Sequence, residues 1–259
     1  MRAGRLRAAA ARASATGAGR HETLRYGARE REAIEIFSAD GAGELAFAML
    51  HGGWWQEGSI DDGARYAAAV THLGVDHVAV GYPLAPEATL SGIVDAVGAA
   101  LAAFLARRAA AEEPSPRLIL GGHSAGAHLA AMMATDRAPV IVRDRVAGLL
   151  LIGGAFDLAP IAESYVNDLV GMSRDEAAEL SPVNRTPVRR LPVTIRVGEH
   201  EPSEFHRHAS LLRDRWSGAA EVTLGTVPGR DHFDVLDELD RVGGALHRDL
   251  ADLVRRVGA

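Results

Sequence analysis

Two reactive residue types are missing from this chain altogether. It has no cysteine, which excludes a disulfide framework, a thiolate-bound zinc and a cysteine nucleophile. It has no lysine, which excludes a Schiff-base mechanism and a Ser–Lys pair. A basic surplus is lacking too. Against 34 acidic residues stand 28 basic ones, all arginine, and the net charge is −6. Nothing in that balance points to nucleic acid or an anionic membrane as a partner. No run reads as long and apolar enough to span a membrane. No Gly-x-Gly-x-x-Gly follows a strand-like stretch, and no His-Glu-x-x-His pairs histidines at metal spacing. Neither a cofactor nor a metal is therefore expected.

What is present is an ordinary globular composition, 47% hydrophobic and 24% charged over 259 residues. That length can bury a sizeable core. Residues 1–22 form an Ala/Arg-rich N-terminal arm or surface helix, without the compact apolar stretch of a secretion signal. With no internal repeat and no linker beyond it, residues 23–259 read as a single domain. The lack of cysteine fits a cytoplasmic protein.

Along the chain, short apolar stretches alternate with helical patterns. Thr23–Tyr26, Ala33–Phe37, Leu45–Leu50, Val78–Val80, Leu118–Leu120, Val146–Ile152, Val193–Val197 and Glu221–Val227 read as strands. Ile60–Leu73, the stretch with Ile93, Val97, Leu101 and Phe104 on one face, Ser203–Trp216 and Gly243–Val257 read as helices. This alternation predicts an α/β fold, with a mostly parallel central sheet of about eight strands and helices on both faces.

One motif stands out in that frame. Gly122-His123-Ser124-Ala125-Gly126 is the only Gly-x-Ser-x-Gly in the chain, and it sits between a strand and a helix-compatible run. A turn that tight has no room for side chains at its flanks, and it lifts the Ser124 hydroxyl clear of its own backbone. Serine needs a base, and the base needs an orienting acid. Two downstream loops supply candidates. Gly198-Glu199-His200-Glu201 follows one strand, and Gly229-Arg230-Asp231-His232 follows the last one. His232 is assigned as the base and Glu201 as the acid. Glu199, Glu204 and Asp157, the last of these after the preceding strand, remain rivals for the acid. Of the other histidines, His123 is expected to pack beneath the turn and His247 to lie in solvent on the last helix. The developing oxyanion needs fixed N–H donors. Ala125 supplies one, and Gly53 and Trp54 in His51-Gly52-Gly53-Trp54-Trp55, after an early buried strand, supply the others.

Together these residues resemble the α/β-hydrolases whose oxyanion loop begins His-Gly-Gly, and within them the kynurenine formamidase (arylformamidase) family. The His51–Trp55 box matches that family's His-Gly-Gly-x-Trp, where lipase-like relatives carry a third glycine in place of Trp54. Tyr82–Leu90, Leu180-Ser181-Pro182, Glu204–Arg207 and Asp231-His232-Phe233 also resemble family segments, so the likeness runs from about Tyr26 to the C-terminus. Three features depart from it. Glu201 stands where the family usually has Asp, His208 where Gln is expected, and the N-terminal segment is short. The resemblance implies a single-domain α/β-hydrolase that hydrolyses N-formyl-L-kynurenine to kynurenine and formate, without a cofactor. Trp54 and Trp55 are expected to stack on the aryl ring, with core packing as the alternative for Trp55. A general carboxylesterase and a non-catalytic binder on the same fold are the competing readings. The expected partners are a small-molecule substrate and, for assembly, a second copy of the chain.

Overall fold

The computed structural model describes residues 2–17, 20–41 and 43–258. Eight strands form one sheet in the order β1-β2-β4-β3-β5-β6-β7-β8. They are β1 His21–Arg25, β2 Ala33–Phe37, β3 Leu45–Leu50, β4 Asp76–Val80, β5 Arg117–His123, β6 Val146–Ile152, β7 Pro192–Gly198 and β8 Glu221–Val227. β2 runs antiparallel to β1 and β4, and every other pairing is parallel. The chain leaves β3 for β4 on one side, then crosses back to β5 on the other. In such a sheet the crevice for a ligand opens where the direction of winding reverses, beyond the carboxyl ends of the strands. Here that place lies between β3 and β5. The loop after β3 is the His51–Trp55 box, and the turn after β5 carries Ser124.

Strand periodicity explains how the sheet is covered. Successive side chains point to opposite faces, so Ala46, Ala48 and Leu50 of β3 join one core and Phe47 and Met49 the other. The first core takes in α4 (Leu90–Ala110), α5 (Ala125–Met132) and α10 (Ser203–Trp216). The second takes in α12 (Ala245–Gly258) through Leu246, Leu250 and Leu253. α4 starts where Thr89 caps it by accepting a hydrogen bond from the Gly92 N–H at 3.1 Å. Shorter helical pieces join the rest: α2 (Ile60–Ala64), α3 (Ala67–Thr71), α6 (Val140–Arg143), α7 (Ala159–Ala162), α8 (Asn167–Val170), α9 (Arg174–Glu179) and α11 (Asp237–Asp240).

Four details depart from the sequence reading. The helix expected over Ile60–Leu73 breaks at Arg65–Tyr66, where the Tyr66 N–H bonds to the Gly63 carbonyl and the Tyr66 side chain is wholly buried. α4 is long and apolar enough to cross a bilayer, against the expectation that no stretch is. Its Ile93, Val97, Leu101 and Phe104 instead pack into the core. β1 begins at His21, inside the stretch assigned to the arm, because the His21 ring meets Phe37 across the β1–β2 pair at 4.7 Å. The N-terminal segment forms helix α1 over Arg2–Gly17. Ala8 of α1 is buried among Phe37, Ala64, Ala67 and Ala79, and Arg12 reaches Glu35 and Asp61. His247, expected in solvent, is buried against the Ala69 carbonyl because α12 turns that face toward α3.

Several histidines are sealed inside this fold. His77 on β4 donates through Nε2 to the Gly63 carbonyl at 2.9 Å, and His128 on α5 donates through Nε2 to Leu180 at 2.8 Å. Burial pushes both down to about 4 from the ordinary 6.5. The neutral form is therefore the folded form. Above pH 6.5 the two cost nothing. Below it the unfolded chain takes up protons that the folded chain refuses until about pH 4, so stability falls across that window. Each histidine contributes at most about 1.4 kcal/mol per pH unit. The urea midpoint should be level above pH 7 and should drop between pH 6.5 and 4.5. A midpoint unchanged down to pH 4.5 contradicts this account.

Candidate active site

The turn at Ser124 is strained in the way its sequence requires. β5 runs through Gly121, Gly122 and His123 directly into Ser124, whose φ of 54° and ψ of −118° lie outside the usual regions for a side-chain-bearing residue. Such a conformation costs of order 1–3 kcal/mol and persists only where its surroundings hold it. Both glycines of the motif are needed for space. A Cβ on Gly122 would lie 2.2 Å from the Gly126 carbonyl oxygen, and one on Gly126 would lie 2.1 Å from that of Leu50. The second approach seats α5 against the end of β3. The Ser124 N–H donates to the Ile152 carbonyl at 2.8 Å, which ties the turn to the end of β6.

The loops after β7 and β8 bring Glu201 and His232 together. His232 Nδ1 lies 2.6 Å from Glu201 Oε2, and Gly198 N–H donates to Glu201 Oε1 at 2.7 Å. A carboxylate can only accept, so Nδ1 carries a proton, and in the neutral imidazole the lone pair is then at Nε2. The Glu201 side chain has no solvent exposure, and that of His232 has 13%. Gly153, just past β6, lies beneath the pair at φ 51°. A Cβ there would stand 2.8 Å from Glu201 Oε2 and 3.1 Å from His232 Nδ1.

The rival acids are engaged elsewhere. Asp157 accepts from Arg207 at 3.0 Å, Glu204 accepts from Arg207 at 2.7 Å, and Glu199 accepts from the Gly229 N–H at 2.7 Å. His208 is buried, and its Nδ1 accepts from the Phe156 N–H at 2.9 Å, which pins the loop after β6. Ser124 reaches the same corner as His232 through Ile152, Gly153 and His123. No hydrogen bond joins its hydroxyl to the imidazole, a bond that in unliganded enzymes often forms only with substrate.

The His51–Trp55 loop closes the site from the β3 side. Gly53, Trp54 and Trp55 all have positive φ, at 115°, 50° and 60°. At Gly53 a Cβ would fall 2.3 Å from the Glu57 carbonyl oxygen, so only glycine fits. The Gly53 carbonyl takes the N–H groups of Gln56 and Glu57 at 2.9 and 3.0 Å. Tyr82 fixes the start of the loop. Its hydroxyl donates to the His51 carbonyl at 2.6 Å, and its ring stacks on His51 at 4.1 Å. Gly52 then lies so near Ser124 that its Cβ would be 3.3 Å from that of the serine. Ala125 heads α5, where a helix leaves its first N–H groups without intrahelical partners.

The two tryptophans part company. Trp54 is half-buried, with its ring 6.1 Å from that of Phe205. Trp55 has no exposed surface and donates through Nε1 to His128 Nδ1 at 3.2 Å. Trp55 is a core residue, and the expectation that it stacks on a substrate gives way to the alternative of core packing. Around His232 the structure gathers rings that the sequence reading did not place against it. The Phe205 ring lies 4.2 Å from the imidazole and nearly parallel to it, His123 lies 4.5 Å away, and Phe233 meets it edge-on at 5.5 Å while 82% exposed. The sequence signals for Phe205 were its place in the first turn of the helix after Glu201 and the family-like segment Glu204–Arg207.

Comparison with known proteins agrees with this architecture. Residues 47–180 match the family model described as the alpha/beta hydrolase fold. The chain is 31% identical over 232 residues to a kynurenine formamidase of Salmo salar, covering 86% of this chain and 77% of that one. It is 29% identical to a kynurenine formamidase of Danio rerio, covering 83% and 75%. Among solved structures, a thioesterase candidate from Silicibacter sp. superposes with a TM-score of 0.80 at 27% identity, covering 98% of this chain and 92% of that one. An esterase from Pyrobaculum calidifontis shares the fold, with a TM-score of 0.71 at 22% identity and coverage of 93% and 86%. With its single eight-stranded sheet and its serine turn after β5, the chain belongs to the α/β-hydrolase fold family, is similar within it to the kynurenine formamidases, and is a hydrolase.

Proposed function

We propose that this hydrolase is an aryl formamidase acting on N-formyl-L-kynurenine, with Ser124, His232 and Glu201 as its triad. The observation that carries the reading is the bond from His232 Nδ1 to the buried Glu201, formed beside the strained Ser124 turn. With Nδ1 protonated, the Nε2 lone pair takes the Ser124 proton while Oγ attacks the formyl carbon. The carbonyl oxygen becomes an oxyanion, which the N–H groups of Ala125, Gly53 and Trp54 stabilise. As the tetrahedral intermediate collapses, the C–N bond breaks and His232 returns the proton to the departing arylamine. His232 then deprotonates a water, which attacks the formyl ester. When that second tetrahedral intermediate collapses, the C–Oγ bond breaks, His232 returns the proton to Ser124 Oγ, and formate leaves.

Two features of the surroundings suit this substrate. Ser124 is only 3% exposed, and formyl is the smallest acyl group, so the acyl side needs little room. The leaving group must lie next to His232, where Phe205 and the half-buried Trp54 present aromatic surface. The similarity to kynurenine formamidases supports the same choice.

Turnover of N-formyl-L-kynurenine against short p-nitrophenyl esters tests the substrate. The formamide should be cleaved with the higher kcat/KM, and Ser124→Ala should lower its turnover by roughly 10⁴-fold or more. Ester hydrolysis with an untouched formamide makes the protein a carboxylesterase. A folded wild type that a fluorophosphonate fails to label makes it a binder.

The acid has its own test. Glu201→Gln keeps the shape of the side chain but no longer selects the Nδ1–H tautomer. Its kcat should fall roughly 10³–10⁴-fold with KM little changed. Full activity in Glu201→Gln returns the role to Asp157 or Glu199.

A further inference from the structure

The residue inside the Gly-x-Ser-x-Gly turn is not a spacer here. His123 lies between the two residues read as nucleophile and base. It precedes Ser124 in the chain, and its side chain turns back across the sheet to the loop after β8. There Nε2 lies 2.7 Å from the backbone carbonyl oxygen of His232. A carbonyl can only accept, so Nε2 carries a proton and donates it. The His123 ring also sits 4.5 Å from the imidazole of His232, and it is 8% exposed. On its other side it touches the oxyanion loop, because a Cβ on Gly52 would stand 2.9 Å from His123 Nδ1. Thus one residue, next to Ser124 in the chain, bonds to His232 and lies against the loop read as carrying two oxyanion donors.

The need for such a contact follows from topology. Ser124 ends the inner strand β5, whereas His232 follows β8 at the edge of the sheet, with β6 and β7 between them. Glu201 fixes the His232 ring at Nδ1 but does not fix its backbone. We propose that His123 is a positioning residue that sets the distance between Ser124 and His232 by holding the His232 carbonyl. It touches no reacting atom. Burial and the nearby His232 push it down to about 3, so it stays neutral while His232 gains and loses a proton. A second positive charge 4.5 Å from the imidazolium would oppose the step that forms it.

The proposal rests on the reading of Ser124 as nucleophile and His232 as base, and its test separates the two. The rate of fluorophosphonate labelling reports the Ser124–His232 pair without assuming a substrate. Wild type and Ser124→Ala are measured first, and equal labelling of both overturns the reading of the site itself. With that reading in place, His123→Leu removes the donor, whereas His123→Gln keeps an N–H at a similar reach. Labelling and kcat of His123→Leu should fall about 10–100-fold, the scale of an ångström of misplacement. KM should change less than about threefold, and His123→Gln should recover most of the loss. Full activity in folded His123→Leu overturns the proposal, and so does equal loss in both variants. A measurement on wild type needs no variant to fold: ¹⁵N spectra of the imidazoles at pH 7 should show His123 protonated at Nε2 alone. Protonation at Nδ1 would remove the bond to His232 and the proposal with it.

Discussion

Glu201 is a carboxylate without solvent, and most of the site's construction follows from making that tolerable. An isolated charge there would cost several kcal/mol, so it has to meet donors. It meets two, the Gly198 N–H on one oxygen and His232 Nδ1 on the other. Each donor fixes a piece of chain. The first bends the loop after β7 into a tight return, and the second draws the loop after β8 across it. The strand before them also yields, because Gly153 leaves the space that a side chain would take from both groups. Three adjacent parallel strands, β6, β7 and β8, thus end at Glu201 and His232, and β5 beside them ends in the Ser124 turn.

The opposite wall is held by different means. Three consecutive residues of the His51–Trp55 loop have positive φ, and two of them are tryptophans. Conformational strain of that kind persists only where contacts over-determine it. Here the contacts are the Tyr82 hydroxyl on the His51 carbonyl, the Gln56 and Glu57 N–H groups on the Gly53 carbonyl, and the sealed Trp55 indole on His128. Trp55 therefore works as an anchor, whereas Trp54 stays half-buried beside Phe205.

How much of this was legible in the chain depended on range. The strand–turn–helix at Ser124, the His-Gly-Gly box and the glycine loop before His232 are local patterns, and local patterns survive folding. The alternation of strands and helices did as well, because buried strands and amphipathic helices differ in period. The acid was not legible in the same way. Glu199, Glu201, Glu204 and Asp157 differ only in what stands opposite them, and two of them, Glu204 and Asp157, converge on Arg207 from separate elements. Trp54 and Trp55 are neighbours of one type, and only the position of His128, 73 residues from Trp55, tells them apart. His247 looked solvated because α12 is polar overall, but its orientation is set by α3. The break at Tyr66 follows from burying a large ring, which propensity does not register.

The parallel ladder between β7 and β8 has one more consequence. β8 is the outermost strand on its side, hydrogen-bonded to a single neighbour, and its last pair joins Gly198 to Val227. Ser124 hangs from the interior of the sheet and His232 from its hem. Edge segments open at lower cost than central ones. What keeps the hem from fraying is a set of stitches beyond the ladder: Glu199 N–H to Val227, His200 N–H to Arg230, Gly229 N–H to the Glu199 carboxylate, and His123 to His232. The loop that carries His232 is thus held to the molecule by bonds outside the sheet's own ladder.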